Sequence, residues 1–202
     1  MEFAMSTDAT SPAAPAPVPA KKRFGFFKKF LLLMMVIVVV FVAIVAMQPA
    51  EFRIARSANV AAPPAAVFEH VNDFRHWEHW SPWAKLDPTM KVTYDGPATG
   101  KGATYTWVGN YEVGEGKMTI LDSVPNESIT IRLDFVRPFP SSNTVEFTFK
   151  PEAGGTSVTW TMHGRNNFLS KAFHLVMNVD KLVGGDFEKG LASLKDRVEA
   201  KK

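Results

Sequence analysis

Asp180 occupies the least expected position among the groups that could do chemistry in this 202-residue chain. It follows Phe173 by seven residues and precedes Phe187 by seven, on the apolar stripe predicted for the last helix. A buried carboxylate without a partner is costly, so its pKa rises or a cation pairs with it. Asp180 is therefore either an acid/base or polar contact group in a cavity, and a weak catalytic candidate, or a solvated or salt-bridged group. We favour the second interpretation.

Other groups that could do chemistry give weaker signals. His76, Glu78 and His79 include two histidines at i, i+3 spacing, but no third ligand stands nearby in the sequence, so we predict no metal site. The chain has no cysteine, which excludes disulfides and thiolate catalysis. The serines lack the context of a nucleophile elbow, and the stretches 96–102 and 109–116 suit hairpin turns rather than phosphate loops. We expect no cofactor.

Apolar and aromatic side chains on one face of the predicted strands are the candidates for contacting a ligand. An apolar sheet face and one helix need not meet everywhere, and the space between them is the usual form of a small-molecule site. The candidate ligand-binding residues are Tyr105, Trp107, Met118, Phe135, Phe147, Trp160, Met162 and, on the helix, Asp180. The alternative is that these side chains fill a dry core.

The strands that must position these residues are predicted from a hydrophobic period of two. Residues 52–60 suit a first strand, and six more follow, separated by turn residues, at 90–95, 103–108, 113–123, 128–136, 144–150 and 157–163. Short connections favour an antiparallel meander. One face of this sheet is rich in threonine and charge, whereas the other is apolar and needs cover.

Helices are predicted on either side of the meander. Pro64 suits the first turn of a helix, and the tryptophans at positions 77, 80 and 83 follow it at a spacing of three. They either pack a helical turn onto the sheet, which we favour, or dip into a membrane interface. The cover for the apolar face is a helix from residue 168 to about 200. Glycine is unfavourable inside a helix, so we expect a kink or a thin spot at Gly184-Gly185.

A run of eighteen residues from Phe30 to Met47 contains no charge, no glycine and no proline. About 18 to 20 such residues cross a hydrocarbon core of ~30 Å, so the run predicts a single transmembrane helix over 30–48. Five cations lie within 21–29, and only Arg53 and Arg56 follow closely. The N-terminus is therefore predicted to be cytoplasmic and the C-terminal domain extracytoplasmic, periplasmic if the host is bacterial. The alternative is a cleaved signal peptide, whose apolar core is usually shorter.

The chain thus divides into a basic tail over 1–29, the transmembrane helix, and one domain over 51–200. The tail is rich in Ala, Pro, Ser and Thr and is predicted to be disordered. It carries the whole formal charge of +3, so the charge favours an anionic membrane surface, and not nucleic acid, as a partner. The sequence does not identify a protein partner.

The order of elements is one strand, short helices, six antiparallel strands and a long final helix, which is the helix-grip arrangement. The stretches VAAPPAAVFEHVNDFRHWEHWSPW, GATYTWVGNYEVGEGKMTI and VGGDFEKGLASLK resemble the polyketide cyclase/dehydrase group of the START-like (Bet v 1-like, SRPBCC) superfamily. The resemblance covers about residues 51–199. It implies an α+β fold in which a curved antiparallel sheet grips the C-terminal helix around an apolar cavity. Members bind lipids, polyketides or other hydrophobic molecules, and only some are enzymes.

Three functions are compatible with these features. The first, which we favour, is the binding of a hydrophobic small molecule or lipid between the sheet and the last helix, on a domain held at the membrane by a three-residue linker. The second is an enzyme of the cyclase/dehydratase type that uses groups such as Asp180, Tyr105 or Asn110. The third is a protein-interaction module without a working cavity.

Overall fold

The computed structural model describes residues 24–200, so the predicted tail lies outside it up to residue 23. The chain divides into two units, 1–43 and 44–202, which are described separately. Helix α1, Phe24–Met47, contains all the described residues of the first unit. Its 24 residues give a length of about 36 Å at 1.5 Å per residue. This helix is long and apolar enough to cross a membrane, and a signal sequence near an N-terminus has the same properties.

The second unit is an α+β domain in which a meander of strands is preceded and followed by helices. Its strands are β1 (Glu51–Val60), β2 (Lys91–Asp95), β3 (Thr104–Val108), β4 (Glu115–Val124), β5 (Ser128–Arg137), β6 (Ser141–Glu152) and β7 (Gly155–Arg165). Its helices are α2 (Pro64–Asn72), α3 (Phe168–Val176) and α4 (Val179–Glu199), with short 3₁₀ turns at Phe74–His79 and Pro82–Lys85.

All seven strands form one antiparallel sheet in the order β1-β7-β6-β5-β4-β3-β2. The predicted meander and α+β helix-grip class are therefore confirmed. Alternation explains why the strands form: in β6, Val145, Phe147 and Phe149 are buried, while the residues between them are more exposed. We call the side of the sheet that carries these residues, and that α4 covers, the inner face.

An aromatic core fills the space between the sheet and α4. The Trp160 ring stacks on the Phe187 ring of α4, with centroids 4.2 Å apart. Trp77 and Trp80 are buried beside them and donate indole hydrogen bonds to the carbonyls of Val71 (3.0 Å) and His70 (3.1 Å). These two tryptophans therefore pack the helical turn onto the sheet, as the favoured interpretation predicts.

The C-terminal cover differs from the single kinked helix that the sequence predicts. The break falls at Met177 and Asn178, and α4 runs without interruption through Gly184 and Gly185. Asn178 explains the position of the break, because its side chain accepts a hydrogen bond from the Lys181 backbone and caps α4 (2.9 Å). The interruption of the helix expected at the two glycines is therefore wrong.

Candidate functional site

One end of the inner face is left partly uncovered. Strand pairing aligns one inner-face residue from each strand into a row that crosses the whole sheet, which we call the open row. Its members, from β1 to β2 in sheet order, are Phe52, Gly164, Asn143, Leu133, Met118, Tyr105 and Tyr94. All of them except Asn143 retain solvent exposure. The open row is therefore an apolar strip of the sheet that is accessible from outside.

The next row along the strands is closed. Its members are Ile54, Met162, Val145, Ile131 and Ile120, and none is more than 9% exposed. Because both rows lie on the same face of the same strands, the difference in their exposure comes from what packs on each row. The closed row belongs to the core that α4 and the tryptophans complete. The open row is contacted only in part, at Phe52 by His174 of α3 and at Tyr105 by Phe74.

Aromatic rings lie at the β2 end of the open row, in Tyr105 and Tyr94, and in the neighbouring row along the strands, in Trp107 and Phe135. The Tyr105 ring lies 5.7 Å from that of Tyr94 and 6.0 Å from that of Trp107, which in turn lies 5.7 Å from Phe135. The Trp107 indole donates a hydrogen bond to the Val113 carbonyl (3.0 Å), so its orientation is fixed. Rings in this arrangement offer a broad apolar surface with polar edges.

Among the titratable groups of the open row, Tyr105 has the pKa that its surroundings shift most. Burial, followed by the nearby Tyr94 and Glu78, raises the pKa of Tyr105 to about 12. Its hydroxyl therefore stays protonated at physiological pH and can donate a hydrogen bond. Among residues 24–200, no group hydrogen-bonds this hydroxyl.

Asn143 is the polar exception in the open row, and the sequence analysis missed it. Its residue is 9% exposed, and its partner across the strands is Gly164, where a side chain would collide with the Asn143 amide. Within the described chain the amide forms no side-chain hydrogen bond, although it offers two N–H donors and a carbonyl acceptor. The available sequence signal was a polar residue at an inner-face position. Asn143 shares the alternation of Val145 and Phe147 on β6, and it pairs with a glycine on β7.

The predicted ligand-binding residues fall into three groups in the structure. Tyr105, Met118 and Phe135 are partly exposed at the open end, while Trp107 and Met162 lie at its margin, 7% and 9% exposed. Phe147 and Trp160, at 0% and 2%, are enclosed in the aromatic core. In the structure, rings fill the region beneath α4, and the accessible apolar strip lies beyond it.

Asp180 lies apart from the open row. Its side chain is 62% exposed and pairs with Arg56, whose Nη2 is 3.1 Å from Oδ2. The hydrogen bond from Arg56 lowers the pKa of Asp180. The salt-bridged interpretation is the one that the structure supports, because the helix break at Met177 places Asp180 in the exposed first turn of α4.

The other sequence candidates for chemistry have structural roles. The Asn110 side chain accepts hydrogen bonds from the Glu112 and Val113 backbone and closes the β3–β4 turn. The His76 ring nitrogen Nδ1 lies 3.2 Å from the Glu69 carbonyl. No group of three metal-ligating side chains occurs within residues 24–200.

The domain has two surface depressions. One, of about 700 Å³, is lined by outer-face residues such as Arg53, Arg132 and His163, and also by Phe52, Asn143 and Gly164 of the open row. The other, of about 210 Å³, lies between the β6–β7 hairpin and the last turns of α4. Both linings combine apolar surface with polar and charged side chains, and the larger depression meets the open row at its β1 end.

Comparison with known proteins gives a family and a set of similar folds. Residues 51–199 match the family model described as polyketide cyclase / dehydrase and lipid transport. Protein MLL2253 from Mesorhizobium loti is 13% identical with a TM-score of 0.56, over 75% of this chain and 99% of that one. The Aha1 dimer from Colwellia psychrerythraea is 14% identical with a TM-score of 0.53, over 73% and 96%.

A third similar structure is protein CV1439 from Chromobacterium violaceum, 16% identical with a TM-score of 0.52, over 75% of this chain and 99% of that one. At these identities the similarity shows the fold alone. No curated protein matched the sequence.

Proposed function

We propose that this chain, which belongs to the polyketide cyclase / dehydrase and lipid transport family, is a membrane-anchored binder of a hydrophobic small molecule or lipid. The α1 helix is the anchor, and the five cations before the apolar run favour a cytoplasmic N-terminus with the domain on the other side of the membrane. The ligand lies on the open row, beyond the end of the packed core.

The observation that carries this proposal is the apolar strip itself. A sheet face in a water-soluble domain is normally covered where it is apolar. Here Leu133, Met118 and Tyr105 stay partly exposed on three adjacent strands, while the next row is closed. Covering such a strip with an apolar ligand gains about 25 cal/mol for each Å² of apolar surface removed from water.

The chemistry of the open row indicates the class of ligand. It has no charged member, but the Asn143 amide and the Tyr105 hydroxyl have no hydrogen-bond partner among the described residues. The Asn143 amide is not among the buried side-chain groups that lack a partner, and it lines a depression open to solvent. A ligand that supplies a carbonyl or hydroxyl can therefore replace water there with a hydrogen bond. The proposed ligand is an amphiphile with an apolar body and an uncharged hydrogen-bonding group.

The position of the open row suits a ligand that comes from a bilayer. Phe52, the β1 member of the row, is the fifth residue after the end of α1. An extended chain covers at most about 3.6 Å per residue, so the row begins within roughly 18 Å of the end of the proposed anchor. A lipid could therefore reach the row without a long passage through water.

Photocrosslinking in proteoliposomes tests the proposal. The full-length chain is reconstituted with a phospholipid that carries a diazirine in its acyl chain, and labelled peptides are identified by mass spectrometry. We expect label on β3, β4 and β5 peptides in addition to α1, which serves as an internal positive control.

Matched variants on one strand give the decisive comparison. Leu133→Lys places a charge in the open row, and Val136→Lys places the same charge at an exposed position on the outer face of β5. We expect the first to abolish labelling of β3–β5 and the second to leave it unchanged. Label confined to α1 in the parent chain, or equal in both variants, would exclude the open row as the site.

A protein-interaction module is the second candidate function. The aromatic packing between Trp160 and Phe187 favours it, because a filled interior beneath α4 leaves no enclosed cavity at that place. Absence of lipid label from β3–β5 in the experiment above would favour this function over the first.

A further inference from the structure

Helix α3 is amphipathic, and its apolar side faces outward. Its large apolar residues Phe168, Leu169 and Val176 are 51%, 62% and 76% exposed. Its polar residues Ser170, Lys171 and His174 are less exposed than these. A surface helix of a soluble domain normally shows the opposite distribution.

The spacing of these residues makes the exposed side continuous. At 3.6 residues per turn, the apolar residues of α3 fall on an arc of roughly 160°, and the three polar residues fall on the remaining side. The His174 ring lies 5.5 Å from Phe52, so the polar side faces the domain, and burial lowers the pKa of His174. In the described structure α3 has no buried residue.

The beginning of α3 lies at the point where the chain leaves the proposed anchor. The Asn166 backbone donates a hydrogen bond to the Ala50 carbonyl (2.8 Å), and Ala50 is the third residue after α1. Asn167 then caps α3 through a hydrogen bond from the Ser170 backbone (2.8 Å). Three residues reach at most about 11 Å. An anchored domain therefore holds the start of α3 close to the lipid headgroups.

We propose that α3 lies on the bilayer surface, with Phe168, Leu169 and Val176 in the boundary between headgroups and acyl chains. This inference rests on the proposed membrane anchoring. An amphipathic helix at such a boundary buries its apolar face about 5 to 10 Å deep, which matches the outward face of α3. The docked helix gives the domain a fixed orientation and directs the Phe52 end of the open row toward the lipid.

Spin labels test this position directly, since the chain has no native cysteine. Single variants Val176→Cys and Leu169→Cys are labelled in the full-length chain, in vesicles of phosphatidylethanolamine and phosphatidylglycerol. Tyr111→Cys, in the β3–β4 turn and 87% exposed in the parent residue, is the control for water. Val39→Cys, within α1, is the control for lipid.

Collision with oxygen reports exposure to lipid, and collision with a water-soluble nickel chelate reports exposure to water. We expect the ratio of oxygen to nickel accessibility at 176 and 169 to be severalfold higher than at 111, and to approach that at 39. A ratio equal to that at 111 overturns the proposal. Low access to both reagents also overturns it, because α3 would then pack against protein.

The label at position 39 separates the two proposals. If it reports lipid while 176 does not, only the docking of α3 fails and the anchor stands. If position 39 itself reports water, the anchoring in the proposed function fails, and the inference about α3 fails with it.

Discussion

Arg56 on β1 and Asp180 on α4 are joined by a bidentate ion pair, with Nη1 3.2 Å from Oδ1 and Nη2 3.1 Å from Oδ2. Nη2 also donates to the Asp180 carbonyl, Nη1 to the Ala55 carbonyl, and Nε to Glu188 (2.7 Å). A guanidinium has five N–H donors, and here there is a hydrogen bond for each. Arg56 thus links the edge strand β1 to α4 through these hydrogen bonds.

Three glycines of α4 allow a direct test of how closely this helix packs. A side chain at Gly184 would collide with the Arg56 guanidinium, whereas one at Gly185 would meet open space. Alanine is better than glycine inside a helix by about 0.5 to 1 kcal/mol. We expect Gly185→Ala to raise the free energy of unfolding by about that amount, and Gly184→Ala to lose the gain by displacing Arg56.

The third glycine, Gly190, is the position where we expect alanine to lower the free energy of unfolding most. A side chain at Gly190 would collide with the Trp160 ring and lie close to Pro82. We expect Gly190→Ala to lower stability by about 1 to 3 kcal/mol, as for overpacked cores. Urea unfolding of the chain in detergent micelles, followed by fluorescence, measures all three, because all five tryptophans lie between residues 77 and 160. Equal effects at 184 and 185 would contradict the close approach of Arg56.

Phe187 is predicted to be the most costly residue of α4 to truncate. It is 1% exposed and stacks on Trp160. Phe187→Ala removes this contact and leaves a cavity, so we expect a loss of about 3 to 5 kcal/mol in the same unfolding experiment. Leu182→Ala, on the same helix but 56% exposed, is the control and should change stability by less than about 0.5 kcal/mol.

The hydrogen bonds of the Asp87 carboxylate predict how the free energy of unfolding depends on pH. Its Oδ1 accepts from the Thr89 backbone (2.9 Å) and hydroxyl (2.7 Å), and its Oδ2 accepts from the Asn110 backbone (2.6 Å). These bonds, that from the Thr89 hydroxyl first, lower the pKa of Asp87. The ordinary pKa of Asp is about 3.9. The stabilisation is therefore complete above about pH 4 and is lost as the pH falls through the lowered pKa.

Asp87→Asn tests this dependence. We expect the variant to be less stable than the parent at pH 7, and to lose less stability between pH 5 and pH 2. Asp95→Asn, at an exposed position of β2, is the matched control and should follow the parent profile. Identical profiles for Asp87→Asn and the parent chain would show that the three hydrogen bonds do not depend on the carboxylate charge.

Asn143→Leu separates ligand binding from stability. Leucine keeps the open row apolar but removes the amide, which has no hydrogen-bond partner among the described residues. Because the amide reaches a depression open to solvent and has no protein partner to lose, we expect the free energy of unfolding to change by less than about 1 kcal/mol. Lipid labelling of β3–β5 should fall. A large loss of stability would instead indicate a structural role for the amide.

Periodicity in the sequence determined the strands and the fold class. The alternation of Val145, Phe147 and Phe149 with polar residues does not depend on which element packs on the sheet, because successive side chains of a strand point to opposite faces. The apolar run before residue 48 and the cations that precede it are local features in the same sense. Such patterns depend on neighbours in the chain, so they can be read without knowing the tertiary structure.

Only the tertiary structure decided which inner-face residues stay accessible. Phe147 and Tyr105 both carry aromatic side chains at inner-face positions, yet one is in the core and the other is partly exposed. The difference depends on where α4 begins, which Asn178 sets, and on the tryptophans that fill the space beneath it. The role of Gly184 depends equally on Arg56, 128 positions earlier in the numbering. Contacts between residues so distant in the chain leave no periodic signal, so the sequence pattern could not predict them.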